Sequence, residues 1–165
     1  MSPNKKKLED LKITAPNIAQ FNIGVDRPAG YYDNRKHSPV FSFHSLNLSQ
    51  SNLCFDNPEL KCEDYHGLFG KLKQITSKTY EELKQQNHFF KFHEVDFDDQ
   101  DLGVSLLDFK KAITNRPDTL KDEDVPTCWQ FEAYQEARIF GYLGNFGVFF
   151  MVWFDRDHIV YPRNK

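Results

Sequence analysis

An apolar run near the C-terminus constrains the fold more than any other feature. Residues Phe146–Phe154 read FGVFFMVWF, so apolar side chains point to both sides of any strand they form. The apolar segment Ala137–Leu143 precedes them, and Gly144-Asn145 between the two tolerates positive φ. The sequence therefore predicts two antiparallel strands joined by a tight hairpin and covered on both faces. The aromatic residues predicted for the core are Trp129, Phe131, Phe149, Phe150, Trp153 and Phe154.

Further strands are predicted where apolar and polar residues alternate. Thr127–Ala133 places Trp129, Phe131 and Ala133 on one face. The other predicted strands are Phe21–Val25, Val40–Leu48 with a possible bulge at His44–Ser45, His88–Phe97 and Ile159–Tyr161.

Two helices are predicted between these strands. Apolar residues recur on a helical period in Asp64–Ile75, where Asp64 is the expected N-cap. A second short helix is expected at Thr79–Gln86, with Tyr80 and Leu83 facing inward. The order of elements predicts an α+β fold, with two short helices packed on one face of a mostly antiparallel, aromatic-rich sheet.

Length and composition predict one folded unit. The chain has 165 residues, among them 16 Phe, 7 Tyr and 2 Trp, and such aromatic content is atypical of disordered chains. We expect a flexible, Lys-rich N-terminal arm at 1–18 and a single α+β domain at 19–165. That domain contains an acidic loop at about 98–126.

Negative charge is concentrated in one segment. Residues 94–124 contain 10 acidic and 4 basic side chains, whereas the whole chain has a formal net charge of −3. Two interpretations remain open, a solvated loop or a docking surface for a basic partner.

Known sorting and cofactor signals are absent from the sequence. No apolar run reaches 18 residues, and no apolar stretch follows the first lysines, so we expect a cytoplasmic protein without membrane association. Cys54, Cys62 and Cys128 have no zinc-site spacing and are expected to be reduced thiols. No Gly-rich phosphate loop, GxSxG, HExxH or EF-hand pattern is present.

The C-terminal segment contains a pattern of polar residues within apolar strands. It reads Arg138-Ile-Phe-Gly-Tyr142, then an apolar strand ending at Asp155, then His158 and Tyr161-Pro162. This pattern resembles the ending R-[IV]-x-G-[FY]…W-[FL]-D-x-x-H-x-x-Y-P of an uncharacterised prokaryotic family. The layout of two short helices on an antiparallel sheet is also similar to the RelE/HigB/ParE toxin superfamily.

The resemblance implies a cofactor-free endoribonuclease of a prokaryotic toxin–antitoxin system that acts on mRNA. It implies His158 as general acid or base, Arg138 as stabiliser of phosphorane charge, and Tyr161 as proton donor or stacking surface. The implied partners are RNA or the ribosome and a cognate antitoxin, and a homodimer through an exposed edge strand is possible. The side chains expected to bind flanking RNA are Lys91, His93, Arg156 and Arg163.

Other interpretations of the same residues remain open. Arg138 on a strand is often paired with a carboxylate, and Asp155 and Asp157 are typical turn formers. His158 is often hydrogen-bonded to such an Asp. Asp155, Asp157 and His158 together are also a candidate site for a divalent metal. At the level of the whole chain, the alternative is a non-catalytic protein-binding module of a defence or toxin–antitoxin complex, docking through its acidic segment.

Overall fold

The fold is mixed α and β, as predicted. A computed structural model describes residues 31–114 and 116–162, so the expected arm at 1–18 and the strand Phe21–Val25 lie outside the described residues. The strands are β1 Val40–Ser42, β2 His93–Glu94, β3 Cys128–Tyr134, β4 Ala137–Leu143 and β5 Val148–Asp155. The helices are α1 Tyr31–Asn34, α2 Cys62–Thr76, α3 Tyr80–Gln85, α4 Asn87–Phe90 and α5 Leu106–Ile113.

The strands form one sheet in the order β1-β5-β4-β3-β2. Only β1 pairs in parallel, so the sheet is mostly antiparallel, as predicted. Strand β5 lies between β1 and β4, which explains why its side chains are apolar on both faces of the sheet. Among the described residues, no helix is long and apolar enough to cross a lipid bilayer.

The connection between β4 and β5 differs from the predicted two-residue turn. It spans residues 144–147, and positive φ occurs at Phe146 (58°) and Gly147 (78°) instead of Gly144 and Asn145. The buried side chain of Asn34 explains the difference. Its amide donates to the Gly144 carbonyl at 2.8 Å, and its oxygen accepts from the Gly147 N–H at 2.7 Å.

The core has two parts, one on each face of the sheet. Helices α2, α3 and α4 cover one face, where the rings of Phe92 and Trp129 stack at 4.6 Å. Helix α5 covers the other face and places Phe109 against Trp153. The predicted core is confirmed except at Phe150, which is only half-buried. The two predicted helices do share one face, but the sheet has a helix on its second face as well.

The helix starts follow from side-chain capping. Helix α2 begins at Cys62, and Asp64 is not its N-cap but its third residue, where its carboxylate accepts the Lys61 N–H at 2.7 Å. Helix α3 was predicted within one residue at each end, and Thr79 caps it together with Glu82.

Three predicted strands are wrong in part or entirely. The segment predicted as a strand at His88–Phe97 begins in helix α4. Lys91 caps the end of this helix in the left-handed region (φ 49°), and only β2 is a strand. Only Val40–Ser42 of the predicted Val40–Leu48 strand is paired, and Ile159–Tyr161 forms no strand. The predicted acidic loop contains helix α5, because Ser105 and Asp108 form a capping box.

Gly103 of the acidic segment is hydrogen-bonded to the chain that follows β5. The Gly103 N–H donates to the Val160 carbonyl at 2.8 Å. A Cβ at this position would lie 2.1 Å from the Ile159 carbonyl oxygen, so the close approach requires glycine.

We predict that Gly103→Ala destabilises the protein by about 1–3 kcal/mol, because the backbone has to move away from Ile159. The matched control is Gly70→Ala in helix α2, where nothing lies within 4 Å of the new Cβ. This change should stabilise the folded protein by about 0.5–1 kcal/mol, because Ala loses less conformational entropy than Gly. Urea denaturation of both variants measures the two effects. An unchanged midpoint for Gly103→Ala would show that this contact is not tight in solution.

Candidate functional site

Polar side chains from four neighbouring strands meet at one cleft on the sheet. The cleft has a volume of about 170 Å³ and is referred to below as the sheet cleft. The residues that line it are His93, Gln130, Arg138, Phe140, Asp155, His158 and Tyr161.

The strand register explains why these residues converge. His93 on β2 lies opposite Gln130 on β3, and Arg138 on β4 lies opposite Asp155 on β5. Phe140 belongs to the part of the core that α5 covers, which places the cleft on that face of the sheet. The three predicted catalytic residues, Arg138, His158 and Tyr161, therefore share one cleft with His93.

Arg138 lies between two acidic neighbours without forming an ion pair. Its Nη1 donates to the carbonyl oxygens of Ala137 at 2.9 Å and Gln135 at 3.3 Å. Burial lowers the pKa of Arg138, and the charges of Glu132 and Asp155 oppose that effect. Within residues 31–114 and 116–162 no carboxylate oxygen lies within 4.0 Å of its guanidinium nitrogens. The alternative of a direct Arg138–carboxylate pair is therefore not observed.

Asp155 shapes the turn that carries the remaining site residues. Its side chain is 1% exposed, and its two oxygens accept the N–H groups of Ile159 at 2.9 Å and Val160 at 2.8 Å. The turn-forming interpretation of Asp155 is confirmed. These bonds reverse the chain after β5, and His158 adopts a left-handed conformation with φ 58°. The reversal brings His158 and Tyr161 to the cleft.

The two histidines of the cleft differ in their partners. Both ring nitrogens of His93 are engaged: Nδ1 lies 2.8 Å from the Glu94 carbonyl oxygen, and Nε2 lies 2.8 Å from Nε2 of Gln130. For the half-buried His158, in contrast, the described residues supply no hydrogen bond to either ring nitrogen. His158 therefore differs from His93 in its hydrogen bonding, and it lies close enough to Asp155 for the two charges to interact.

Tyr161 lies beside the acidic segment. Burial raises the pKa of its phenol, and the nearby negative charges of Asp99 and Asp96 add to the effect. Asp96 and Asp99 each accept a backbone N–H two residues ahead, from Asp98 and Asp101, at 3.0 Å. The start of the acidic segment is therefore a folded pair of turns at the edge of the cleft, and Tyr161 stays protonated at neutral pH.

Two other predicted RNA-binding residues, Arg156 and Lys91, lie outside the sheet cleft. Arg156 lines a second cleft with Asp64 and Tyr134, and its Nη1 donates to Asp157 at 2.7 Å. Lys91 ends helix α4 and is not part of the lining of the sheet cleft, and Arg163 lies outside the described residues.

The structure does not assemble Asp155, Asp157 and His158, the open candidate for a metal site, into a group suited to a metal ion among the described residues. Both oxygens of Asp155 accept backbone N–H groups, and the oxygens of Asp157 accept from Arg156 and from Asn57 at 3.0 Å. No group of three or more His, Cys, Asp or Glu side chains suited to a metal ion occurs in the described part of the chain.

Gln130 is a cleft residue that the sequence analysis missed. It is 4% exposed, and its amide lies among the apolar residues of β3. Its position in an apolar strand could have identified it. A polar side chain is buried in such a strand only when it has a hydrogen-bond partner or a function.

Comparison with known proteins returned no relatives. No protein-family model, no curated protein and no solved structure matches this chain.

We predict opposite pH dependences for two Asp→Asn variants. Burial raises the pKa of Asp155 in the folded state, so the folded state binds this proton more tightly than the unfolded chain. The resulting stability is complete below the unfolded pKa of about 3.9 and is lost as pH rises through the folded pKa. The stability advantage of the wild type over Asp155→Asn should therefore shrink from pH 4 to pH 8 in urea denaturation.

Asp108→Asn is the control for this comparison. Hydrogen bonds from Ser105 lower the pKa of Asp108, so its contribution is present above the unfolded pKa and is lost as pH falls. The advantage of the wild type over Asp108→Asn should grow with pH. Parallel slopes for the two variants would contradict the assignment of Asp155.

Proposed function

We propose that the protein is a metal-independent endoribonuclease. The observation that carries the proposal is the convergence of two imidazoles, a guanidinium and a phenol on one cleft, contributed by His93, His158, Arg138 and Tyr161. RNA cleavage through the 2′-hydroxyl needs a base, an acid and a cation for the developing phosphorane charge, and this set supplies all three.

The partners of each side chain suggest its role. His158, whose ring nitrogens are not engaged, takes the proton of the 2′-hydroxyl, and the 2′-oxygen then attacks phosphorus. Tyr161, protonated at neutral pH, donates its proton to the departing 5′-oxygen. Arg138 faces the phosphate with the N–H groups that are not bound to Ala137 and Gln135. The products are a 2′,3′-cyclic phosphate and a 5′-hydroxyl.

We extend this proposal to a toxin of a prokaryotic toxin–antitoxin system that cleaves mRNA in the cytoplasm. The support is the resemblance of the C-terminal pattern, since its residues Arg138, Asp155, His158 and Tyr161 converge on the same cleft. A cognate antitoxin would then be the protein partner.

We predict that Arg138→Ala lowers RNA cleavage by about 10²–10³-fold and His158→Ala by at least about 10²-fold. Both changes remove a group that acts on the transition state. The measurement is growth under tight induction together with mapping of new RNA ends, and cleavage by the purified protein with and without EDTA.

The matched controls are Arg35→Ala and His66→Ala, which replace exposed residues of the same types. Both should cleave like the wild type. Intact RNA with well-expressed, folded wild-type protein would contradict the proposal. Loss of cleavage on chelation would exclude the metal-independent chemistry.

A second function is favoured by one observation. The carboxylates of Asp98, Asp99 and Asp101 are exposed, and the charge of Asp99 reaches Tyr161 of the sheet cleft, so this segment attracts a basic partner. A non-catalytic module that docks a basic protein through this segment is therefore the alternative.

If docking is the function, Asp98→Lys/Asp101→Lys should weaken capture of a basic partner by about tenfold or more, more so at low salt. Pull-down with the wild type and with the charge-reversed variant tests this. The control is Glu59→Lys, the same reversal of charge at an exposed acidic residue outside the acidic segment. Equal capture by all three proteins would argue against the acidic segment as the docking surface.

A further inference from the structure

Gln130 has an arrangement that the proposed mechanism does not use. Its side chain is 4% exposed and lines the sheet cleft, and its Nε2 lies 2.8 Å from His93 Nε2. Its Oε1 is buried and has no hydrogen-bond partner among the described residues. A buried acceptor without a partner is destabilising, so its position beside a cleft needs an explanation.

The partners of His93 fix the direction of each hydrogen bond. The Glu94 carbonyl can only accept, so Nδ1 of His93 carries the proton. In the neutral ring Nε2 is then an acceptor, and the Gln130 amide N–H donates to it. This assignment explains why Nε2 of Gln130 faces His93 and why its oxygen is left over.

We infer that Gln130 is the residue that recognises the nucleotide in the cleft. Its amide N–H positions the His93 ring as a stacking surface, and its Oε1 accepts a hydrogen bond from an N–H or O–H group of the bound nucleotide. Two groups of a ribonucleotide have this chemistry, the ribose 2′-hydroxyl and an exocyclic base amine. The recognition part of this inference rests on the proposed function.

The positioning of His93 can be tested without any activity. In the wild type, ¹⁵N NMR at a pH where the His93 ring is neutral should show the proton on Nδ1 and the acceptor at Nε2. In Gln130→Glu the ionised carboxylate can only accept, so both ring nitrogens should carry protons. The exposed His66 ring should be unchanged in that variant. A wild-type His93 protonated on Nε2 would overturn the assignment.

Recognition is tested by calorimetric binding of three nucleotides that cannot be cleaved. They are the 3′-monophosphates of adenosine, 2′-deoxyadenosine and inosine, of which the second lacks the 2′-hydroxyl and the third lacks the amine. The wild type should bind one of the last two about tenfold more weakly than the first, because one hydrogen bond is lost. Which one is weaker identifies the donor. Gln130→Leu should bind all three equally.

The outcomes separate the two proposals. Equal discrimination by the wild type and Gln130→Leu would overturn the role of Gln130 and leave the ribonuclease proposal intact. Failure of the wild type to bind any of the three nucleotides would count against both the ribonuclease and the recognition role. The NMR result for His93 would still decide whether Gln130 positions that ring.

Discussion

The structure depends on strand β5 being buried on both faces. Met151 and Phe154 belong to the core under α2, α3 and α4, whereas Val152 and Trp153 belong to the core under α5. A strand with two apolar faces has to lie inside a sheet with a layer on each side, and β5 lies between β1 and β4. Because the strand ends at Asp155 with its side chain buried, the chain has to reverse there around the carboxylate. The central constraint of the fold thus also sets the position of the cleft.

The parts of the fold that the sequence predicted are those determined by local pattern. The long apolar hairpin, helix α2 and helix α3 follow from periodicity and from the Thr79 cap. Helix α5 was missed although its Ser105–Asp108 capping box is a local signal. The β4–β5 turn was predicted wrongly because a distant residue determines it. Asn34 sets the β4–β5 connection from more than one hundred residues away, through its hydrogen bonds to Gly144 and Gly147. No local pattern contains either contact.

The candidate site was also predictable only where its residues belong to one locally determined element. Arg138, His158 and Tyr161 lie close together along the chain, on or just after one hairpin, so their meeting follows from a predicted element. His93 reaches them only because β2 pairs with β3. The sequence does not determine which residues of these two strands lie opposite each other. Arg156 shows the opposite case, because its neighbour Asp157 and the distant Asp64 draw it to the second cleft. Arg156 is therefore not part of the sheet cleft, although it follows Asp155 directly in the sequence.

The acidic segment changes what the cleft can accept. Its turns at Asp96–Asp101 lie beside Tyr161, and Gly103 fastens the segment to the Val160 carbonyl. Negative charge at this edge repels a phosphate backbone, whereas Arg138 on the central strands attracts one phosphate. A long RNA would therefore have to enter from the side away from these turns. The same field attracts a basic protein, so a partner that covers the acidic edge would change access to Arg138 and His158 without contacting either.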